Sequence, residues 1–235
     1  MRQVAFEELE GEPVIVEEKL DGANSGFSFD ERGRLRLQSR GHLLRGGPRE
    51  AQFDRFKQWG ATLREALFER LRDRYVVYGE WLYAHHAIYY DALPDYFVEF
   101  DVLDLAEGVF LDTSRRRALL SGLPITSAPV VAELASLRES DLAPLISRSA
   151  YQTPEWAQTL RRACVSRRID PSLVLERTDR AGLMEGFYLK VERGGVVVQR
   201  CKWVRPSFTQ AVEDAGEHWM RRPIVPNTLG TEPAT

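Results

Sequence analysis

Short stretches of alternating apolar and polar residues, arriving in adjacent pairs, limit this chain's fold more than any other feature. PVIVEEKL and NSGFSF near the start read as strands, and RLRLQS alternates a charged or polar residue with leucine, the pattern of a half-buried strand. The turn DERG between Phe29 and Arg34 joins the last two into a hairpin. YVVYGEWLYA and YFVEFDVLD make a second strand group, separated by the aromatic loop AHHAIYYDALPD. GLMEGFYLKVE, Gly194-Gly195 and VVVQRCKWV read as another hairpin. Strands in hairpins, with helices grouped between them, predict an antiparallel α+β fold over a doubly wound parallel sheet.

The helices show a different period. Phe53, Phe56, Trp59, Leu63, Leu67 and Leu71 recur at three- and four-residue spacing, the signature of one buried helix face. From Thr113 to about Arg168 the chain is expected to be mainly helical, cut into short pieces by prolines 124, 129, 144, 154 and 171. A last amphipathic helix is expected from Ser207 to Arg222, and the proline-containing stretch from Pro223 is expected to be extended or loose.

With 235 residues, 43% of them hydrophobic and 29% charged, the chain can bury one full-sized core. No apolar run approaches the ~20 residues of a membrane span, and MRQVAFEELE has no signal-peptide pattern, so a cytoplasmic address is expected. Cys164 and Cys201 suit small core positions better than a disulfide framework or zinc cluster. The net charge of −3 argues against binding nucleic acid through bulk charge alone. Yet RGRLRLQSRGHLLRGGPR, from Arg32 to Arg49, carries six arginines and no acid. Arg115-Arg116-Arg117, Arg161-Arg162 and Arg167-Arg168 add clusters that are either solvated helix faces or local phosphate-steering patches.

Lys19 ends the strand VIVEEK and is followed by the turn pair Asp21-Gly22. A lysine acts as a nucleophile only when neutral, and shifting it from its usual pKa to neutrality costs about 4–5 kcal/mol at pH 7. Lys-x-Asp-Gly alone is equally a solvated lysine beside a turn. Acidic residues in strands add weight: Glu80 in VVYGEWLY, Glu99 and Asp101 around Phe100, and Glu185 before Gly186, with Lys190 and Lys202 on the last hairpin. Carboxylates for a metal and cations for phosphate are what a nucleoside triphosphate needs; taken singly, each is equally a structural ion pair. His85-His86 has no third ligand at useful spacing and fits a structural or substrate-edge role. Trp81, Tyr83, Tyr89 and Tyr90 could stack bases or pack a core. Walker A, Rossmann, nucleophile-elbow and kinase signatures are absent from the sequence.

Taken in order, these segments resemble the covalent nucleotidyltransferase superfamily of DNA ligases, RNA ligases and mRNA-capping enzymes. From about Val14 to Phe208 the chain is most similar to phage-type RNA ligases that seal duplex RNA, and to their bacterial relatives. EKLDGAN matches the motif whose lysine becomes AMP-linked, which implies Lys19, flanked by Glu18 and Leu20, with Asn24 serving later steps. LQSRG implies Arg40 at phosphate or ribose, YGEWLY implies Glu80 at the ribose, and VEFDVLD implies Phe100 stacked on adenine. EGFYLK implies Glu185 near the metal, with Glu80 as a second metal carboxylate and Lys190 among the nucleotide contacts. RCKWV matches a motif in which two lysines flank one residue; here Arg200 replaces the first and Lys202 keeps the second. An arginine keeps the charge and changes the geometry.

The resemblance implies two packed antiparallel sheets with flanking helices and a nucleotide cleft between them. It implies one nucleotidyltransferase domain over residues 1–222, a helical insertion at about 113–170, and an extended tail over 223–235. The implied activity is ATP-dependent sealing of RNA 3′-OH and 5′-phosphate ends, as in RNA repair, through lysyl-AMP at Lys19, with Lys202 assisting and Mg²⁺ or Mn²⁺ bound. A DNA nick ligase acting on DNA or hybrid ends, a GTP-using capping enzyme, and a non-catalytic binding module on the same scaffold are the alternatives. After Phe208 no further C-terminal domain fits, so either the core suffices for sealing, or a protein partner or the helical middle is expected to supply the missing grip.

Overall fold

The computed structural model describes residues 2–209 and 224–230. Two β-sheets carry the molecule, as the hairpin pattern predicts. The first contains β1 (Arg2–Gln3), β2 (Val14–Lys19), β10 (Val130–Leu134), β11 (Gly186–Arg193) and β12 (Val196–Val204), in the order β1-β12-β11-β2-β10. The second runs β5-β4-β3-β6-β7-β8 and contains β3 (Ala23–Phe29), β4 (Leu35–Ser39), β5 (His42–Leu43), β6 (Tyr75–Trp81), β7 (Phe97–Asp104) and β8 (Val109–Phe110). A short β9 (Thr126–Ser127) adds to β7. Pairing is antiparallel except for β1 beside β12 and β9 beside β7.

Strand alternation sorts each sheet into a core face and a cleft face. In the first sheet Val14, Val16, Phe187, Leu189, Val191 and Cys201 pack into one apolar cluster. Their neighbours Glu17 and Lys19, Tyr188 and Lys190, and Arg200 and Lys202 therefore share the opposite face, in the register Lys19–Gly186, Glu17–Tyr188–Lys202 and Lys190–Arg200. The second sheet buries Phe27, Phe29, Leu37, Val77, Trp81 and Phe97 against helix α1 (Asp54–Leu71). The helix supplies Phe56, Leu67 and Leu71 to that core, with Trp59 and Leu63 packed at its edge, as the spacing predicts. Each such fully buried side chain contributes about 1.5–3 kcal/mol.

Two expectations change. The middle of the chain is not mainly helical. It holds α2 (Thr113–Leu120), then β9 and β10, and only then α3 (Glu139–Leu142), α4 (Trp156–Ser166) and α5 (Pro171–Glu176). Pro124 and Pro129 leave no room for a helical nucleus, and the β-branched Val130-Val131 pair instead extends the first sheet beside β2. Nor is the stretch after Pro223 loose where it is described. Residues 224–230 run along the aromatic loop through Ala84–Pro226 and Leu93–Leu229 bridges, with Val225 and Asn227 each 2% exposed. Residues 206–209 are helical; the rest of the helix expected over Ser207–Arg222 lies outside the described residues. Among the described residues no helix is long and apolar enough to cross a membrane.

Candidate active site

Lys19 is the last residue of β2 and pairs in register with Gly186, which sets its ammonium beside the preceding residue, Glu185. The Lys19 Nζ donates to Glu185 Oε1 in a close ion pair, with side-chain exposures of only 15% and 8%. Burial alone would lower the lysine's pKa, but Glu185, and behind it Glu80 and Asp21, outweigh it and hold the proton on. The same burial pushes Glu185 up to about 7 against the pull of Lys19, and the two together form an ionised pair.

The turn after Lys19 is built rather than free. Asp21 Oδ2 accepts from the backbone N–H groups of Ala87 and Ile88 at 2.7 and 2.8 Å. The Asp21 N–H donates to the Tyr90 hydroxyl at 2.8 Å. A Cβ at Gly22 would lie 2.6 Å from Leu82 Cδ2 and 3.0 Å from Trp81 O, so any larger residue there would have to displace the buried Leu82 side chain. The Asp-Gly pair thus crosses from one sheet to the other against the aromatic loop. His86 joins the same wall, its Nδ1 3.9 Å from Asp21 Oδ1.

From the second sheet Asn24 and Glu80 are register partners on the cleft face. Glu80 is buried, and its pKa is pushed up to about 8 by burial, partly offset by Lys19. Lys202, exposed at the opposite side of the site, has its pKa lowered by partial burial and then by Lys19 and Arg200. Glu80 Oε2 and Glu185 Oε2 are buried without a hydrogen-bond partner. Among the described residues no group of three or more His, Cys, Asp or Glu could hold a metal ion. Two orphaned carboxylate oxygens fit a hard divalent cation that takes its remaining ligands from phosphate and water.

Tyr188 lies at the centre of the cations. Its ring has Lys202 Nζ at 5.5 Å, Arg200 Cζ at 5.6 Å and Lys19 Nζ at 6.0 Å, and it stacks on Phe100 with centroids 5.2 Å apart. Burial holds its phenol well above the usual range.

The RNA ligase family matches residues 12–204, a span that contains every one of these side chains. The chain belongs to the RNA ligase family. Two solved structures of Naegleria gruberi RNA ligase mutants, one apo and one with ATP and Mn, are similar to it, with TM-scores of 0.56 and 0.54 at 17% identity. Each comparison covers 88% of this chain and 54% of that one. A third mutant, with AMP and Mn, gives 0.54 at 16% identity over the same shares. This likeness shows the fold, and the chain spans about half the length of those ligases. No curated protein sequence matches.

Set against the family motifs, the structure gathers Lys19, Glu185, Glu80 and Lys202, with Asn24 beside Glu80 and Phe100 joined through Tyr188. It does not gather all the others. Glu18 points to the far face of β2, where Ala150 N–H approaches its carboxylate at 3.4 Å and burial raises it to about 7. Leu20 is core. Arg40 stands exposed at the end of β4, its φ of 44° following from the sharp turn there.

Lys190 and Arg200 pair with acidic side chains in an ion cluster, Lys190 wholly buried and Arg200 at its edge toward Tyr188. Lys190 Nζ lies 2.7 Å from Glu17 and 3.0 Å from Asp101, and Arg200 pairs with Asp101. Arg116 of α2 completes the cluster, bonding both Glu99 oxygens at 2.8 Å and pairing with Glu17. So the Arg115–Arg117 run is no uniform solvated face, because its middle member is wholly buried. The sequence reading missed Arg116, Glu17 and Tyr188. Alternation from Phe187 on a core-facing strand would have turned Tyr188 toward the cleft; nothing local marks Arg116.

Proposed function

We propose that this chain is the catalytic core of an ATP-dependent RNA ligase working through lysyl-AMP at Lys19. The observation that carries this reading is the convergence of Lys19, Glu185, Glu80 and Lys202, from both sheets, on one small cleft. In the first step the Lys19 ammonium loses a proton to water and the freed Nζ attacks the α-phosphorus of ATP. The P–N bond forms as the bond to the β-phosphate bridging oxygen breaks. Pyrophosphate departs, and the second amine proton leaves with it. Lys202 offsets charge on the α-phosphate. A divalent ion, Mg²⁺ or Mn²⁺, held by Glu80 and Glu185, would neutralise phosphate oxygens. Phe100 and Tyr188 offer the aromatic surface for adenine, and Asn24, the register partner of Glu80, is assigned to the later steps.

An RNA 5′-phosphate oxygen then attacks the same phosphorus, and the P–N bond breaks as Nζ takes a proton from water, releasing Lys19 as the amine and leaving an adenylylated end. The 3′-hydroxyl of the second end attacks the 5′-phosphate, forms the phosphodiester and expels AMP. Family membership and neighbours solved with ATP, AMP and Mn support the nucleotide and metal assignments.

Incubation with α-labelled ATP and Mg²⁺ tests the first step. A labelled protein band surviving denaturing electrophoresis is expected, and it is lost in Lys19→Ala. An undiminished band in that variant would reject the reading. Sealing of matched RNA and DNA nicks then fixes the strand preference, with RNA expected to be favoured.

A further inference from the structure

Residues 224–230 are remote in sequence from the Lys19 turn, yet the side chain of Tyr90 links the two. Asn227 is 2% exposed and uses all its polar groups on the aromatic loop. Its N–H donates to Tyr83 O at 2.9 Å, its side-chain amide donates to Leu82 O at 2.8 Å, and its side-chain oxygen accepts from Tyr90 N–H at 2.9 Å. Its carbonyl accepts from the Tyr96 hydroxyl at 3.2 Å. Thr228 continues the strap: its N–H donates to Tyr90 O at 2.9 Å, and its hydroxyl lies 2.8 Å from that of Tyr89. Val225 and Gly230 pin the two ends, to His85 and Leu93.

Tyr90 is therefore gripped at its backbone by Asn227 and Thr228 while its hydroxyl accepts from Asp21 N–H, two residues after the nucleophile. A second route runs through Leu82. Asn227 fixes its carbonyl, and its side chain fills the space beside Gly22. A turn at a strand end has no ladder to hold its far side, so its geometry depends on whatever packs against it. A buried amide with every group satisfied suits that task, because any displacement leaves polar atoms unpaired.

We propose that the 224–230 strap, acting through Asn227 and Tyr90, is a positioning element that holds the Asp21–Gly22 turn so that Lys19 stays against Glu185. The catalytic consequence rests on the adenylyl-transfer reading of Lys19; the mechanical one does not. Asn227 touches no reacting atom. Misplacing a nucleophile by a fraction of an ångström lowers the rate of attack without a matching loss of nucleotide affinity.

The test uses the full chain with Asn227→Ala, Tyr90→Phe and the double variant, and two measurements. Hydrogen exchange over residues 19–23 is expected to rise at least about tenfold in each single variant while α1 keeps its protection. The maximal rate of labelled-adduct formation is expected to fall by about 10–100-fold, with half-saturating ATP changed less than about threefold. The double variant should be no slower than the slower single, since the connection that Tyr90→Phe cuts is one of those that Asn227 holds. Unchanged exchange at 19–23 in both singles, or losses that multiply in the double, would overturn the proposal. If Asn227→Ala loosens α1 as well, Tyr90→Phe decides alone, because it keeps the ring and removes only the acceptor. Were the wild type to form no adduct while exchange responded as expected, the strap would stand and the adenylyl-transfer reading would fall.

Discussion

Two groups of charged residues lie along the same strands between the sheets and behave in opposite ways. In the buried cluster Glu17, Glu99 and Asp101 face Lys190, Arg200 and Arg116, three acids against three bases, with Lys190 and Arg116 wholly inaccessible. In the open site, two residues along β2, one cation, Lys19, faces two carboxylates, and its ion pair is with Glu185 while Glu80 lies behind. Matched charges make a structural clamp between sheets and helix α2. Unmatched ones leave capacity for a ligand, and a catalytic site needs that capacity.

Substitutions can break that contrast, and Lys19→Ala has the largest effect on activity: adduct formation should vanish, while the melting temperature falls less than in Arg116→Ala, because Glu185 and Glu80, raised to about 7 and about 8, can take up protons when the cation is lost. A drop in the melt as large as that of Arg116→Ala would contradict this. Arg116→Ala should do the reverse. It leaves Glu17 and Glu99 buried beside a missing cation and should cost about 3–5 kcal/mol in urea unfolding. Urea midpoints matching the wild type would show the cluster to be ornamental.

Glu80→Gln sharpens the comparison through pH. Burial raises Glu80 from its ordinary carboxylate range to about 8, so between those values the folded protein binds a proton that the unfolded chain does not. Stability from this group is therefore present at low pH and lost as pH rises toward 8. The variant should melt higher than wild type at pH 8, match it near pH 5, and form adduct at least about tenfold more slowly. A variant that melts lower at pH 8 would mean the carboxylate is paired after all. Smallest is Arg200→Lys. Since Asp101 holds that cation within the clamp, adduct formation should change by less than about threefold. A rate loss as large as that of Lys202→Ala would move Arg200 into the phosphate site.

Much of this was legible in the residues. The spacing of Phe56, Leu67 and Leu71 marks a helix whose buried face is set by its own period, so it needs no partner to be read. Lys19, Glu80, Glu185 and Lys202 are recognisable from short motifs in order, and the structure brings them together. Val130–Leu134 was misread as helix because its identity as a strand comes from an edge of the first sheet that β2 leaves open. Arg116 looked like one arginine in a basic run. Only its placement beneath two sheets makes it a buried cation.

The sequence by itself determined the two-residue alternation that gives each sheet a core face and a charged face, the helix that covers the second sheet, and the motif order that marks the family. These are local properties, because side-chain direction repeats along a strand or helix whatever lies across from it. Tertiary structure decided which charges cancel and which remain open, that Tyr188 sits among three cations, and that Asn227 reaches the nucleophile's turn through Tyr90. Each of these depends on what faces what across the cleft. Pairing and desolvation of a charge are set by neighbours brought from distant parts of the chain, and no period along the chain records them.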